Sequence, residues 1–207
     1  MNDDITAESF IDDEEIGSLC LVASEPTTRS LDALLEDMHI TKGAGFVWTL
    51  KEITLHGEFR PLPNETNIFD ASGKQDGDFD NLLNAARKAV DQGYRVFVLP
   101  NPKGIRTADF IFERKGVYRL YDLKTIRGKG SAGTRMKESI GQTNRVLLNM
   151  ATDYNARLLA SDIKEYFEKN PDAIEVLIFK GNKVFSIKRG LVQNKAFNRI
   201  FRKQYEK

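Results

Sequence analysis

Histidine and cysteine are scarce in this chain of 207 residues, which has only His39, His56 and Cys20. A single cysteine excludes a disulfide framework and suits a reducing compartment. Because both histidines lie in the first 56 residues, zinc clusters and Ser-His-Asp triads are poorly supported in the rest of the chain. Histidine-based RNA cleavage is poorly supported there for the same reason.

The sequence also lacks a long hydrophobic run. No segment approaches the roughly 20 apolar residues that span a bilayer, and Met1 is followed by Asp3 and Asp4, where a signal peptide carries positive charge. We therefore expect neither a membrane span nor a signal peptide, and action in a cytoplasm. If the protein leaves its cell, it does so by another route or as part of a longer chain.

The net charge of +1 conceals an uneven distribution. Residues 1–40 contain eleven carboxylates and one basic residue, Arg29, whereas residues 41–207 contain 30 Lys and Arg against 19 acidic residues. A basic body suggests a polyanionic partner such as nucleic acid. The acidic leader, residues 1–40, either masks that surface, binds another protein or is a solvated tail.

Apolar periodicity predicts an α/β (α+β) fold with a mixed β-sheet flanked by helices. A short helix after Ser30 and two short strands within 43–56 precede a loop rich in Pro, Asn and Gly. From Asp78 onward, the pattern predicts the order α-β-β-β-α-β-α-β-β. The predicted segments are an acidic extension or small subdomain over 1–60, a linker over 61–77, the main domain over 78–189, and a basic helical tail over 190–207.

The stretch YDLKT, residues 121–125, raises the main question about function. Asp122 and Lys124 are two residues apart in a predicted strand, so they share a face. If Lys115-Gly116 is a two-residue hairpin turn, equal counting along both arms places Asp109 opposite Asp122. A three-residue turn would instead place Asp109 opposite Tyr121.

Two carboxylates that close repel each other unless a cation lies between them. The two-residue register therefore predicts a metal site, and oxygen ligands suit Mg²⁺ or Mn²⁺. Such a site, with Lys124 beside it, provides what phosphodiester hydrolysis needs. For Asp122 and Lys124 alone, an exposed ion pair on an open sheet face is the simpler interpretation.

Short motifs on this element order resemble the PD-(D/E)XK nuclease superfamily: Asp109, then Asp122-Leu-Lys124. More narrowly, four segments resemble the C-terminal toxin domains of contact-dependent growth inhibition (CdiA-type) proteins, many of which are tRNA nucleases. These segments are Gly93-Tyr-Arg-Val, Thr107-Ala-Asp-Phe, Tyr121-Asp-Leu-Lys-Thr and Ile140-Gly-Gln-Thr-Asn-Arg-Val. Ala108 replaces the Pro that often precedes the first Asp, and Asp122 replaces the commoner Glu.

The resemblance implies a nuclease-like core over 78–189, with Asp109 and Asp122 as ligands of Mg²⁺ or Mn²⁺ and Lys124 as the catalytic lysine. It also implies that Gln142 reaches toward the scissile phosphate and that the first helix adds a carboxylate. For that carboxylate we prefer Asp80, because Asp78 is better placed as a cap. Delivery into a target cell and a cognate immunity protein are further implications.

The segment after YDLKT is rich in Gly and basic residues, and it provides Arg127, Lys129, Arg135 and Lys137. Such a track can follow a phosphate backbone without reading sequence, although a mobile solubilising loop has the same composition. Its Gly128-Lys-Gly-Ser lacks P-loop spacing, so ATP binding is not expected.

The hypothesis from sequence is a metal-dependent nuclease, with tRNA or other RNA as the preferred substrate. Two alternatives stay open: a DNA-cleaving enzyme on the same fold, and a non-catalytic nucleic-acid or protein binding module of phage or mobile-element origin.

Overall fold

The structure is a computed structural model, and it describes residues 59–73, 77–99, 108–115 and 117–207. The helix after Ser30 and the two strands within 43–56 lie outside the described residues. Eight strands pair in chain order, and helices alternate with them. The predicted α/β (α+β) class, a mixed sheet with flanking helices, is confirmed.

The predicted order of elements from Asp78 to Lys188 is confirmed, and two short strands precede it. The bounds, in chain order, are β1 Arg60–Pro61, β2 Ile68–Asp70, α1 Gly77–Asp91, β3 Arg95–Val98, β4 Phe110–Arg114, β5 Val117–Ile126, α2 Ala132–Glu138, β6 Arg145–Met150, α3 Ala156–Lys169, β7 Glu175–Lys180, β8 Lys183–Lys188, α4 Arg189–Gln193 and α5 Phe197–Tyr205.

The described residues form two compact units, which we call the first unit (59–121) and the second unit (122–207). β1 pairs antiparallel with β2, β2 parallel with β3, and β3 antiparallel with β4. β4 and β5 form a hairpin in which Arg114 pairs with Val117, as a two-residue turn requires. The predicted hairpin register is therefore confirmed over this pairing.

α1 supplies small residues to the core of the first unit. Helical spacing predicts an inward face of Leu82, Leu83, Ala86 and Val90. In the structure, Phe79, Ala85, Ala86 and Ala89 are buried, whereas Leu82, Leu83 and Val90 are only half-buried, so the buried face is rotated about the helix axis from the predicted one. The helix begins at Gly77. Asp78 therefore lies within the first turn rather than at the predicted capping position.

The linker predicted for 61–77 is not entirely irregular. β2 lies inside it and pairs parallel with β3, with Ile68 1% exposed. A three-residue strand between Asn67 and Ser72 is too short to give a periodic signal, and turn-forming residues dominate that stretch.

In the second unit, β5, β6 and β7 run parallel, and β8 returns antiparallel after the predicted turn at Gly181. One face of these strands is apolar and meets α2, α3, α4 and α5, with Val146, Leu148, Val176 and Ile178 all 0% exposed. Helical spacing predicts that Leu158, Leu159, Ile163, Tyr166 and Phe167 form the inward face of α3, and the last four of these are buried. The exception is Leu158, which is 43% exposed instead of inward.

The predicted tail over 190–207 is part of this core. Phe197, Phe201 and Tyr205 of α5 are fully buried, and Arg189 at the start of α4 holds the end of α3. Its guanidinium donates to the carbonyls of Phe167 at 2.9 Å, Asn170 at 2.7 Å and Pro171 at 2.9 Å. These bonds satisfy carbonyls that a helix end leaves without partners.

Candidate functional site

Asp122 and Lys124 lie on the helix-covered face of the second unit. In β5, Asp122 pairs with Val146 and Lys124 with Leu148, and both partners belong to the apolar cluster. Neighbouring residues of parallel strands share a face. The side chains of Asp122 and Lys124 are therefore set into an apolar layer rather than onto an open sheet surface.

The two side chains form an ion pair in which Asp122 is buried and Lys124 is half-buried. Lys124 Nζ lies 2.7 Å from Asp122 Oδ2, and the side chains are 15% and 2% exposed. The pair is therefore not fully exposed on an open sheet face. Moving two charges out of water is costly, and a buried pair often stabilises a fold less than apolar residues of similar size would. A contribution to folding stability is therefore a weak explanation for the presence of this ion pair.

Tyr166 of α3, which the sequence pattern identified only as a core residue, interacts electrostatically with Asp122. Burial raises the pKa of its phenol, while the Ser139 hydroxyl and the Asn170 amide lower the pKa and the Asp122 carboxylate raises it. The polar hydroxyl on an otherwise apolar helix face was the available signal. Its position brings the turn after α2 and the carboxylate of β5 to the same residue.

Gln142 follows α2 in a turn where Gly141 has a φ of +86°. It is 8% exposed, and its Nε2 donates to the Glu138 carbonyl at 2.8 Å. Its backbone amide donates to the carbonyl of Ser139 at 3.0 Å. The side chain is therefore fixed to the end of α2, and its predicted contact with a phosphate stays a prediction.

Asp109 and Asp80 belong to the first unit. Asp109 is half-buried and directly precedes β4, and its amide donates to the carbonyl of Tyr121 at 2.9 Å. This bond is one residue out of step with the pairing of Phe110 and Tyr121, so the opposition of Asp109 to Asp122 stays a prediction. Asp80 is exposed in the first turn of α1, and its catalytic role also stays a prediction.

Two residues of the predicted basic track are held by carboxylates. Arg135 pairs with Glu138 at 2.9 Å, and Lys137 pairs with Glu165 of α3 at 3.0 Å. Hydrogen bonds from Lys169 and Lys137 lower the pKa of Glu165 to about 2. The other two residues, Arg127 and Lys129, are exposed on the Gly-rich loop between β5 and α2.

The residues at β5 suit a hard divalent cation that keeps much of its water. Asp122 offers carboxylate oxygens, the ligands that Mg²⁺ and Mn²⁺ prefer. Among the described residues, no group of three or more His, Cys, Asp or Glu side chains is placed to hold a metal ion. A site built on Asp122 would therefore depend on waters and substrate oxygens for its other ligands, as Mg²⁺ sites at phosphates commonly do.

The chain was compared with known proteins. No protein-family model matches it, and no curated protein matches its sequence. Among solved structures, it is similar to a chain of the CdiA-CT/CdiI toxin and immunity complex from Burkholderia pseudomallei, with 17% sequence identity and a TM-score of 0.40. The similarity covers 64% of this chain and 96% of that chain. In the described part of this protein, no helix is long and apolar enough to cross a membrane.

Proposed function

We propose that the chain is a metal-dependent nuclease that hydrolyses phosphodiester bonds, with tRNA or other RNA as its preferred substrate. The observation that carries the proposal is the ion pair of Asp122 and Lys124 on the helix-covered face of β5, in which the Asp122 side chain is 2% exposed. Because removing these charges from water is costly, a catalytic role explains them better than a contribution to folding stability does.

In this proposal, Asp122 holds a Mg²⁺ or Mn²⁺ ion, and Asp109 is the second carboxylate ligand implied by the sequence motif. The bound ion would neutralise phosphate charge and acidify a water molecule. Lys124 would orient that water or donate a hydrogen bond to the charge that develops on the phosphate. Gln142 and Asp80 are proposed as further site residues on the strength of the motif alone.

The decisive experiment incubates the full chain with total tRNA and with plasmid DNA, each in Mg²⁺, in Mn²⁺ and in EDTA. Lys124→Ala and Asp122→Asn are tested in parallel, and circular dichroism verifies that each variant is folded. Matched controls are Lys183→Ala and Asp172→Asn, because both residues are exposed in the same unit.

We expect cleavage with a divalent cation, none in EDTA, and loss of activity in Lys124→Ala and Asp122→Asn but not in the controls. Cleavage that persists in both folded site variants would contradict the assigned roles. If no condition yields cleavage, the non-catalytic binding module becomes the better description. The substrate consumed separates an RNA-cleaving enzyme from a DNA-cleaving one.

We further propose that the nuclease acts as a toxin domain inside a target cell and that a cognate immunity protein binds it. The support is the resemblance of the four short segments to CdiA-type toxin domains. Expression in a bacterial cytoplasm tests it: the wild-type chain should arrest growth, and Lys124→Ala should not. Unimpaired growth with abundant folded wild-type protein would contradict the toxin role.

A further inference from the structure

The rotation of α5 about its axis is fixed by three aromatic residues. Phe197, Phe201 and Tyr205 are 0% exposed, and their rings stack along the helix with centroids 5.6 Å and 5.3 Å apart. Residues four apart lie on one helix face. Asn198, Arg199 and Lys203, which lie between these aromatic residues in the chain, are exposed.

A groove of about 540 Å³ lies along this outward face. It is lined by Arg157, Asn198, Arg199, Arg202, Lys203 and Glu206, so four cations meet one carboxylate. We call these six residues the basic groove. Glu206 Oε1 lies 3.5 Å from Arg202 Nε. Among the described residues, no ion pair is formed by Arg157, Arg199 or Lys203, so most of the positive charge is not neutralised locally.

We propose that the basic groove binds the phosphate backbone of a nucleic acid, as a surface separate from Asp122 and Lys124. Guanidinium groups match phosphate oxygens in a planar, two-bond geometry, and three of the four cations are arginines. The aromatic rings of α5 face the core and are not available for stacking on bases. The groove therefore binds charge and shape rather than sequence.

A second cleft, of about 460 Å³, shares Glu206 with the basic groove. Its charged lining consists of Lys129 and Lys180 against Glu206 and Asp153, and Asp153 Oδ1 lies 3.6 Å from Lys180 Nζ. Lys180 is held in place, because its Nζ donates to the Tyr205 carbonyl at 2.7 Å. Lys129 lies on the Gly-rich loop that follows β5. The second cleft therefore adds no net positive charge, and the proposal is confined to the basic groove.

An anionic membrane surface is less suitable as the partner. A helix that binds in the membrane interface needs an apolar face for the lipid, and the apolar face of α5 is buried in the protein. An acidic protein segment offers carboxylates, which pair with arginine in the same two-bond geometry as phosphate, so it is tested as a competitor. These two partners are distinguished from nucleic acid in the experiment below.

The test measures binding of a fluorescent single-stranded RNA oligonucleotide to the full chain in EDTA, over a range of salt concentrations. Working in EDTA separates binding from the proposed metal-dependent cleavage. The groove variant is Arg199→Gln with Lys203→Gln. Its matched control is Lys183→Gln with Lys195→Gln, which removes the same charge from exposed residues outside the groove.

We expect the groove variant to bind RNA at least about tenfold more weakly at low salt, with a salt slope smaller by about 1.4, as two lost phosphate contacts on a single strand predict. The control should change little. Equal losses in both variants would overturn the proposal, because only net charge would then matter. Absence of RNA binding by the wild-type chain would also overturn it, as would displacement of RNA by polyglutamate or by phosphatidylserine vesicles at matched charge concentration.

The outcome is independent of the proposed catalytic role. A folded chain that binds RNA through the groove but never cleaves it would retain this inference and contradict the nuclease. If the groove variant instead cleaves RNA and binds it as well as the wild-type chain does, the nuclease proposal is retained and the groove proposal is contradicted. Thermal unfolding of both double variants verifies that the exposed substitutions leave the fold intact.

Discussion

Asp122 and Lys124 place charged side chains at strand positions that would suit apolar packing. Their positions on β5 face Val146 and Leu148, where apolar side chains would pack well. An ion pair at such a position gains Coulomb energy but loses hydration. If the pair has a catalytic role, replacing both residues together should abolish activity without lowering the free energy of unfolding.

The first prediction concerns Asp122→Leu combined with Lys124→Met. Replacing a buried ion pair by apolar residues is typically neutral or stabilising by about 1–4 kcal/mol, whereas removing one partner costs about 3–5 kcal/mol. We expect the double variant to be at least as stable as the wild type in urea unfolding, yet inactive, and Lys124→Met alone to be destabilised. A strongly destabilised double variant would show that the pair is structural.

Tyr205 gives a prediction for alkaline pH. Burial, followed by the carboxylate of Asp153, raises the pKa of the Tyr205 phenol to about 12. Between pH 10 and the raised pKa, the unfolded chain loses this proton while the folded chain keeps it, so stability falls as pH rises. The expected loss is about 2–3 kcal/mol. Tyr205→Phe should flatten this part of the curve of unfolding free energy against pH, and an unchanged slope would contradict the assignment.

Among the elements, α2 and α3 are joined by a small polar contact. The Tyr154 hydroxyl donates to Asp162 Oδ2 at 3.0 Å and accepts from the amide of Ala132 at 3.2 Å. Burial raises the pKa of Asp162, while Tyr154 and the amide of Gly133 lower it through hydrogen bonds. This contact fixes the start of α2, and with it the end of the Gly-rich loop.

The prediction at this scale is that Gly133→Ala loosens the junction. A Cβ at Gly133 would lie 3.0 Å from Asp162 Oδ1, so Asp162 must shift away from its partners. We expect a net loss of about 1 kcal/mol, measured by thermal unfolding, because overpacking costs about 1–3 kcal/mol and Ala regains about 1 kcal/mol over Gly within a helix. Gly77→Ala is the control, because it meets nothing within 4 Å, and it should be neutral or mildly stabilising. Equal effects at both glycines would contradict the role of the junction.

The sequence predicted the type and order of elements well, because long apolar runs and Gly or Pro boundaries are local signals. β6 is one example, with all six residues buried. Contacts between distant residues left no such signal. The pairing of Lys137 with Glu165, 28 residues away, is one case, and the electrostatic interaction of Tyr166 with Asp122 is another.

The α5 segment illustrates a different kind of error. Its amphipathic pattern was recognised, but a pattern does not name the surface that the apolar face covers. The segment was therefore predicted as a tail, whereas Phe197, Phe201 and Tyr205 complete the core of the second unit. The basic groove could not be predicted either, because Arg157 comes from α3 and lines it together with residues of α5.

For the molecule as a whole, the uneven charge distribution leads to a further prediction. Residues 1–40 carry ten net negative charges, and the remaining residues carry eleven net positive charges. Replacing Asp12, Asp13, Glu14 and Glu15 by their amides should strengthen RNA binding at low salt. The gain should disappear near 1 M salt, where the screening length is about 3 Å. Affinity that is unchanged at low salt would contradict a masking role for the leader.

The three buried rings of α5 also affect how the protein is made. The apolar face of β6 and β7 is closed only when residues 197 to 205 are in place, and these residues are translated last among the described elements. On the ribosome, part of the apolar face of β5 to β8 must therefore stay uncovered until Tyr205 has emerged. Until then the core of the second unit is incomplete, so the nascent chain should acquire any activity late in synthesis.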